Sequence, residues 1–183
     1  MESKTRSTFR HGNLKQAATD AACDIVRTEG SDKLSMRRIA DEVGVAHRAL
    51  YNHFTDREAV LDAVAVRGFD ELAEHVRESE SKSTFISAYL GFALSNALLY
   101  DVMMSRPHET MSDNPVLHRA VHRTISLAMT LLGDTVNSYE ENRSIVMKAT
   151  MLMHGGILLR RNGILDVDSD VEVIQMLTSM LNE

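Results

Sequence analysis

Hydrophobic residues recur three or four positions apart along most of this chain of 183 residues, which is the spacing of an α-helix that buries one face. No segment alternates between apolar and polar residues in the manner of a half-buried strand. The pattern therefore predicts an all-α fold of about nine helices. The segments with this spacing cover about residues 13–30, 36–43, 45–54, 56–78, 85–105, 116–132, 140–161 and 168–181.

Residues 35–54 form the most informative stretch, because their pattern predicts two short helices joined by a tight turn. The hydroxyl of Ser35 can cap the first helix by accepting a hydrogen bond from its first turn. Gly44 can adopt the positive φ that ends this helix and turns the chain. Three apolar residues then anchor a second short helix on the same core: Val45, Leu50 and Phe54.

The second short helix leaves a set of polar and basic side chains facing outward: His47, Arg48, Tyr51, Asn52 and His53. A helix that exposes these residue types and no acid suits the major groove of DNA. An acid would repel phosphate there, whereas Arg or Asn can bond to base edges. A plain helical hairpin explains the apolar spacing and the glycine equally well, but it does not explain the exposed residue types. The stretch therefore predicts DNA binding.

The formal net charge of −6 argues at first against a nucleic-acid partner. Residues 1–64, however, carry ten Lys or Arg and ten Asp or Glu, so the excess of acid lies wholly after residue 64. A basic arm ahead of a helix-turn-helix is a typical electrostatic footprint for DNA. A solvated tail is the alternative interpretation. The first 15 residues hold the acid Glu2 and the bases Lys4, Arg6, Arg10 and Lys15.

The composition is that of an ordinary folded protein, with 44% hydrophobic and 25% charged residues. The single cysteine, Cys23, excludes a disulfide within the chain and lies among alanines, so a buried and inert thiol is expected. The polar N-terminus predicts no signal peptide. The apolar segments are interrupted by polar residues and predict no membrane span. These features favour a cytoplasmic protein.

Three segments together resemble the TetR family, the tetracycline-repressor-like transcriptional regulators. They are Arg-Ile-Ala-Asp-Glu-Val-Gly-Val-Ala at 38–46, Ala-Leu-Tyr-Asn-His-Phe at 49–54 and Arg-Glu-Ala-Val-Leu-Asp-Ala-Val at 57–64. The resemblance implies a three-helix DNA-binding domain, a larger helical domain that binds an effector, and a homodimer. We accordingly expect a DNA-binding domain with its basic arm at 1–55, and an effector-binding and dimerisation domain at 56–183.

The resemblance also implies roles for single residues of the first domain. The family's phosphate-contacting Tyr and His fall on Tyr51 and His53. Its capping Thr falls on Ser35, and its basic residue at the start of the fourth helix falls on Arg57. Packing of Tyr51 on the first helix, and plain surface roles for the other polar residues, are the alternatives.

The segment 46–49 departs from the family pattern. Ala49 lacks the hydroxyl of the family's usual Thr, whereas Arg48 is long enough to form two hydrogen bonds to a guanine edge. We therefore expect His47 and Arg48 to contact bases. The full set of predicted DNA contacts is Ser35, Arg37, Arg38, Ala46, His47, Arg48, Ala49, Tyr51, Asn52, His53 and Arg57.

The last two predicted helices are apolar on more than one side, whereas a surface helix needs only one apolar stripe. We therefore expect them to contact both their own domain and a second copy of the chain, as the resemblance also implies. Gly155 and Gly156 would let helices approach closely, or alternatively would break or kink the helix. A symmetric dimer predicts a palindromic operator. The predicted dimer residues are Met153, Gly155, Gly156, Leu159, Val171, Ile174, Leu177 and Leu181.

An effector pocket is the least sharply defined prediction. Nine of the eleven methionines follow residue 100, and methionine adapts to the irregular wall of an apolar pocket. Filling of an ordinary core is the alternative. The predicted pocket residues are Tyr89, Phe92, Tyr100, Met103, Met104, Met129 and Met151.

His118 and His122 lie four positions apart on one predicted helix, with His108 ahead of them. Two imidazoles at this spacing can ligate a metal, but surface histidines are the commoner case. We therefore predict no metal site and no cofactor, and leave a metal role for these three histidines open.

These features together predict a ligand-responsive transcriptional regulator. It would be a repressor that binds a palindromic operator in double-stranded DNA as a homodimer and is released by a small-molecule effector. The alternative is a helical dimeric module that sequesters a small molecule or protein and retains a vestigial DNA-binding domain. An enzyme is not indicated, since the chain has no glycine-rich phosphate loop, HExxH, Gly-x-Ser-x-Gly or Cys/His quartet.

Overall fold

The computed structural model describes residues 14–107 and 113–182. Within these residues the chain forms nine α-helices and one turn of 3-10 helix, and it contains no strand. The predicted all-α fold is confirmed. The helices are α1 (Leu14–Glu29), α2 (Met36–Val43), α3 (His47–Leu50), α4 (Arg57–Val76), α5 (Lys82–Ser95), α6 (Ala97–Met104), α7 (Pro115–Leu132), α8 (Tyr139–Arg161) and α9 (Asp170–Asn182), and the 3-10 turn is Ser31–Lys33.

Side-chain caps set the starts of five of these helices. An oxygen of the capping side chain accepts hydrogen bonds from free N–H groups of the first turn, and such a cap contributes about 1 kcal/mol. In α5 and α8 the third helical residue also bonds back to the cap, which completes a capping box. Because these signals are local, the predicted helix starts lie close to the observed ones. The capping residues are Ser35, Asp56, Ser81, Asn114 and Ser138.

The single apolar helix predicted over residues 85–105 is wrong. The chain forms α5 and α6 there, and the two helices bend by 103° at Asn96. Asn96 has φ −120° and ψ 42°, outside the helical range, and its side-chain amide donates to the carbonyl of Phe92 at 3.0 Å. The backbone N–H of Asn96 donates to the same carbonyl at 3.0 Å, so the Phe92 carbonyl accepts twice from Asn96 where α5 ends. Among the described residues, no single helix is long and apolar enough to cross a membrane. Helices α5 and α6 meet those two criteria only when they are taken together, as a bent pair.

Helix α4 carries one continuous core through both parts of the molecule. It contacts α1 in the N-terminal part and α5, α6 and α7 in the larger part. The long linking helix predicted over residues 56–78 is therefore confirmed, and any shift of its first turn is transmitted to α1–α3 through packed side chains. The inward side chains of α4 are buried along its length: Val60, Leu61, Val64, Phe69, Leu72 and Val76.

Helices α8 and α9 approach each other closely at Gly156. A Cβ atom at this position would collide with the side chain of the buried Leu177, so a larger residue would force that side chain to move. Helix α8 continues through Gly155 and Gly156 without the break that was the alternative prediction. The close approach therefore joins two helices of one chain.

Cys23 is buried in α1, as predicted, and its burial raises the pKa of the thiol to about 11. Since the thiolate is the nucleophile, we expect iodoacetamide at neutral pH to alkylate the folded chain far more slowly than the urea-unfolded chain. Mass spectrometry measures both rates, and equal rates would contradict the burial.

The raised pKa of the Cys23 thiol also predicts that the free energy of unfolding falls as the pH rises from about 9 to about 11, because the thiol of the unfolded chain ionises first.

Candidate nucleic-acid interface

The turn at Gly44 fixes the orientation of the short helix α3. The Ser35 hydroxyl accepts a hydrogen bond from the N–H of Arg38 at 3.2 Å, and Gly44 has φ 74° and ψ 34°. Leu50 and Phe54 are buried in the core beneath α3. The predicted cap, turn and anchors are confirmed, and the opposite face of α3 is turned toward solvent.

Five polar side chains on α3 and directly after it are exposed: His47, Arg48, Tyr51, Asn52 and His53. The Tyr51 ring is 48% exposed and meets the His47 ring edge to face, with the ring centroids 5.2 Å apart. Tyr51 therefore stands at the surface, beside His47. Ala46 is exposed too, whereas Ala49, which also belongs to the predicted set of DNA contacts, is partly buried and packs against the core.

Among the arginines of the predicted set, Arg37 and Arg48 are the exposed ones. Arg48 is exposed, and no ion pair or hydrogen bond holds its side chain within residues 14–107 and 113–182. Arg37 is 86% exposed, and its Nε lies 3.9 Å from a carboxylate oxygen of Asp41. An exposed pair of this kind contributes little stability, so Arg37 can readily exchange Asp41 for another anion.

Arg38 is committed to the body of the domain. Its guanidinium forms a two-pronged ion pair with Glu29 at the end of α1, in which Nη1 donates to Oε2 at 2.9 Å. The same hydrogen bonding lowers the pKa of the Glu29 carboxyl. A phosphate would have to displace Glu29 to reach this guanidinium. Arg38 therefore ties α2 to α1 in the free chain.

Arg57 is directed toward the turn that precedes α2. Its Nε donates to the carbonyl of Leu34 at 3.0 Å, and its Nη2 donates to the carbonyl of Ser31 at 2.7 Å. Its Nη1 donates to Glu58 at 2.9 Å. All three nitrogens are thus bound within the chain. Arg57 locks the first turn of α4 onto the segment that leads into α2, whereas the sequence predicted a phosphate contact.

Replacing Arg57 by glutamine is expected to lower the free energy of unfolding by about 1–3 kcal/mol, because charged hydrogen bonds to two carbonyls are lost. If Arg57 contacted phosphate, its replacement would instead reduce the slope of the logarithm of the DNA-binding constant against the logarithm of salt concentration by about one unit. We expect that reduction for Arg37→Gln and not for Arg57→Gln. Urea unfolding and DNA titrations at several salt concentrations measure the two effects. A fully stable Arg57→Gln protein with a reduced salt slope would overturn this assignment.

The basic arm predicted at the N-terminus lies almost entirely outside the described residues. Its last base, Lys15, is described and is exposed in the first turn of α1. The Lys15 ammonium lies 5.9 Å from the centre of the Phe54 ring. Positive charge is therefore present beside the end of the helix-turn-helix.

A second candidate site is an apolar cavity of about 200 Å³ in the larger part of the chain. Of the predicted pocket residues, Tyr89, Met103 and Met104 line this cavity. Met151 does not, because it is 66% exposed on the outside of α8, and Met153 lies on the cavity wall in its place. Two positions along a helix turn a side chain by about 200°. The remaining predicted residues, Phe92, Tyr100 and Met129, do not line the cavity either.

Tyr89 and Tyr100 form a buried pair at the edge of the cavity. Their hydroxyl oxygens are 3.1 Å apart, so one hydroxyl donates to the other. Burial raises the pKa of both phenols, which are therefore neutral. The Tyr89 hydroxyl consequently has a partner within the chain.

Arg106 is the charged residue among those that line the cavity, and it connects the cavity to α4. Its side chain is 9% exposed, and its Nη1 donates to Glu58 at 2.9 Å and to Asp62 at 3.4 Å. Glu58 also accepts from Arg57. A continuous chain of charged groups thus leads from the cavity wall to the turn before α2. Sequence reasoning missed Arg106; the available signal was a charged residue at the end of an apolar helix, next to Pro107.

The outer face of α8 exposes an apolar stripe. Met147, Met151 and Leu158 recur at helical spacing along it and are 47%, 66% and 49% exposed. Among the predicted dimer residues, Gly155 is partly exposed, Leu159 and Val171 are exposed, and Ile174 and Leu181 are partly buried. Three others are buried within their own chain and cannot reach a partner from there: Met153, Gly156 and Leu177.

His118 and His122 are exposed on α7, and their ring centroids lie 4.0 Å apart. No cluster of three or more potential metal ligands occurs among the described residues. His108 lies outside the described residues. The structure therefore brings two of the three histidines together.

The fold and the site define a class: an all-α protein with a helix-turn-helix and a second helical part that contains an apolar cavity. Residues 18–64 match the family model of bacterial regulatory proteins of the tetR family. Residues 83–182 match the model of the tetracycline-repressor-like C-terminal domain. The chain belongs to the TetR family of transcriptional regulators.

The chain is also similar to individual proteins of known sequence or structure. The uncharacterized HTH-type transcriptional regulator YobS of Bacillus subtilis (strain 168) is 30% identical over 111 residues, which cover 57% of this chain and 58% of YobS. A protein of unknown function from Rhodococcus sp. RHA1 superposes with a TM-score of 0.76 at 26% identity, over 96% of this chain and 97% of that one. A TetR variant from Acinetobacter baumannii AYE, solved in complex with minocycline, superposes with a TM-score of 0.65 at 21% identity, over 92% and 94% of the chains.

Proposed function

We propose that the chain is a ligand-responsive repressor, which binds a palindromic operator as a homodimer and leaves it when a small molecule occupies the cavity. Residues 1–55 hold the DNA-binding function in this proposal, and residues 56–183 hold the effector-binding and dimerisation functions. The observation that carries the proposal is the exposed surface of α3, which bears basic and polar side chains and no acid.

Within this proposal the exposed residues divide into two groups. Arg48 and His47 contact base edges, and Arg48 suits guanine because its guanidinium can donate to both O6 and N7. Tyr51 and His53 contact phosphate on the flanks, and Arg37 adds a phosphate contact at the start of α2. Arg38 and Arg57 act from behind the surface by fixing α2 and the turn before it.

Dimerisation is proposed to use the outer face of α8 together with the exposed side of α9. The stripe of Met147, Met151 and Leu158 has no cover within the described part of the chain. Gly155 lies in the same stripe, and a Cβ atom there would meet nothing within 4 Å, which leaves room for a helix of a second copy. A twofold axis through this face would present two copies of α3 to one side of a DNA duplex.

The proposed signal passes along α4. Arg106 lines the cavity and holds Glu58 and Asp62, which lie in the first two turns of α4. Glu58 shares its other oxygen with Arg57, which holds the turn before α2. A ligand that pulls on Arg106 would therefore shift the two DNA-binding units of a dimer and favour a state with weaker operator affinity.

A titration of the full chain against the DNA upstream of its own gene tests this function. At physiological salt we expect that DNA to bind about 1,000-fold or more tightly than a shuffled sequence of equal length, as is usual for specific regulators. Equal affinity for both DNAs would favour the alternative, a dimeric binding module with a vestigial DNA-binding domain. The measurement uses fluorescence anisotropy with labelled duplexes.

A further inference from the structure

The apolar cavity in the larger part of the chain has a wall with few polar groups. Most of the side chains that line it are aromatic rings, aliphatic groups or thioethers, among them Phe69, Phe85, Val121 and Met153. A wall of this kind gives water few hydrogen-bond partners, so burial of a ligand's apolar surface there is favourable. The state of the few polar groups in the wall therefore decides which ligands can enter.

Two of those polar groups, the threonine hydroxyls, are bonded to backbone carbonyls. The Thr150 hydroxyl donates to the carbonyl of Val146 at 2.9 Å, one turn earlier in α8. The Thr124 hydroxyl donates to the carbonyl of Phe69 in α4 at 3.5 Å. Both hydroxyl hydrogens are thus already used within the chain, and a ligand acceptor would have to break one of these bonds.

The Tyr89 hydroxyl, the third polar group of the wall, begins a chain of hydrogen bonds that leads away from the cavity. Its oxygen lies 3.1 Å from the hydroxyl oxygen of Tyr100, which lies 3.4 Å from Nδ1 of His154. With Tyr89 donating to Tyr100, and Tyr100 donating to His154, both hydroxyl hydrogens are used. This order requires the neutral form of His154 that carries its hydrogen on Nε2. The wall residues that the structure describes then offer the cavity no free hydroxyl donor.

The positive charge of Arg106, the fourth polar group, is already balanced. Its Nη1 donates to Glu58 at 2.9 Å and to Asp62 at 3.4 Å. The Asp62 side chain is 12% exposed, so its negative charge is poorly screened by water. Two carboxylates thus face this guanidinium, and an anionic ligand would be repelled. No carboxylate lines the cavity among the described residues, so a cation would lose its hydration without gaining a partner.

We infer that the cavity binds a compact, uncharged hydrocarbon, such as an alkylbenzene, that carries no hydrogen-bonding group. The cavity volume of about 200 Å³ sets the size of this ligand. A dry apolar cavity of about 150 Å³ is known to hold benzene, so this one suits roughly eight to ten non-hydrogen atoms. Met103, Met104 and Met153 can adjust to the ligand's outline. The inference rests on the proposed function, since it names the chemical class of the proposed effector.

Calorimetric titration of the full chain with three molecules of similar size tests the inference. Propylbenzene is a hydrocarbon, 2-phenylethanol carries a hydroxyl in place of its terminal methyl group, and benzoate is an anion. We expect propylbenzene to bind at least about tenfold more tightly than either of the others, because a hydroxyl or a carboxylate that is buried without a partner loses its hydration. The titration should reach saturation at one propylbenzene molecule per chain.

A substitution that fills the cavity tests where propylbenzene binds. Ala128 lies in the wall and is 7% exposed, so the larger side chain of Ala128→Leu would occupy part of the cavity. This variant should bind propylbenzene at least about tenfold more weakly, because the added carbon atoms take the place of ligand atoms that would otherwise be buried. The matched control is Ala88→Leu, since Ala88 is only partly buried on α5 and does not line the cavity. It should leave the affinity unchanged.

Nuclear magnetic resonance of the unaltered chain keeps the test independent of how well Ala128→Leu folds. In a chain with 13C-labelled methionine methyl groups, propylbenzene should shift the resonances of Met103, Met104 and Met153, which line the cavity. The resonances of Met147 and Met151, which are exposed on the outer face of α8, are the internal control and should not shift.

Four results would overturn the inference. They are an affinity for 2-phenylethanol or benzoate that equals or exceeds that for propylbenzene, no binding of any of the three molecules, an unchanged affinity in a folded Ala128→Leu protein, and resonance shifts confined to Met147 and Met151. Specific binding to the upstream DNA is measured without these molecules. If it persists in any of those cases, the effector class is wrong and the regulator stands. If propylbenzene binds as expected and the upstream DNA is not distinguished from a shuffled sequence, the proposed function fails alone.

Discussion

Replacing Arg48 by alanine should cost the chain most of its preference for its own operator. A guanidinium that donates twice to a guanine contributes about 1–3 kcal/mol of discrimination, and a dimer on a palindrome uses two of them. Affinity for the operator should therefore fall by on the order of 100-fold, while affinity for shuffled DNA falls by much less. Anisotropy titrations against both duplexes at one salt concentration give the two numbers.

The control for Arg48→Ala is Arg77→Ala, which removes the same charge from an exposed position directly after α4. It should leave operator affinity nearly unchanged, because Arg77 lies at the end of α4 that is remote from the helix-turn-helix and outside the proposed dimer stripe. If Arg48→Ala weakened binding to both duplexes by the same factor, Arg48 would be a phosphate contact. If it weakened neither, the exposed surface of α3 would not be the DNA-binding surface.

A double substitution on the stripe of α8, Met151→Glu with Leu158→Glu, should convert the dimer to monomers. Both side chains are exposed in the single chain, so the fold should survive. A twofold interface at this stripe would bury four carboxylates, so the dimer should not form. Operator affinity should fall by at least about 100-fold, since the linkage between two half-sites is lost. Sedimentation velocity reports the mass, and circular dichroism reports the helical content.

Val136→Glu is the control for this prediction, because Val136 is 86% exposed in the loop between α7 and α8, away from the stripe. It should leave the dimer intact. A dimer that survives Met151→Glu with Leu158→Glu would place the interface elsewhere. Leu177→Glu is uninformative here, although the sequence pattern pointed to it, because Leu177 packs on Gly156 within one chain and its replacement would unfold the domain.

The sequence alone was sufficient to predict the structure where residues close together in the chain determine it. Ser35 caps α2 and Gly44 ends it with a left-handed residue, because both effects involve only the adjacent turn. The buried and exposed faces of α2 and α3 follow from the helical period. These local signals were enough to predict the helix-turn-helix and the exposure of the residues after Gly44.

Partners that are distant in sequence decide which side chains are already bound within the chain, and the sequence pattern does not reveal them. Arg38 and Arg57 have the sequence character of phosphate contacts, but Glu29 holds one, and the carbonyls of Ser31 and Leu34 hold the other. Nothing in the spacing of these residues indicates those contacts. The same holds for Arg106, whose burial depends on Glu58 and Asp62 in α4.

The sequence also does not predict which side of a helix faces the core when apolar residues lie on all of its sides. Met151 and Met153 are equally hydrophobic, yet Met151 is exposed on α8 and Met153 is 1% exposed on the cavity wall. A helix with apolar residues on several sides has no polar face to define its orientation, so its packing against α5, α7 and α9 decides. Asn96 is a related case, since one side-chain amide divided an apolar run that had the length of a single helix.

Footprinting of the intergenic DNA upstream of the gene, with the full chain at physiological salt, tests the central claim most directly. A dimer that presents two copies of α3 should protect one short segment whose two halves are related by an inverted repeat. Inverting one half should abolish that protection, because the twofold axis of the protein no longer matches the DNA. Uniform protection without a defined segment, or protection that survives inversion of one half, would contradict the claim that this chain is a dimeric operator-binding regulator.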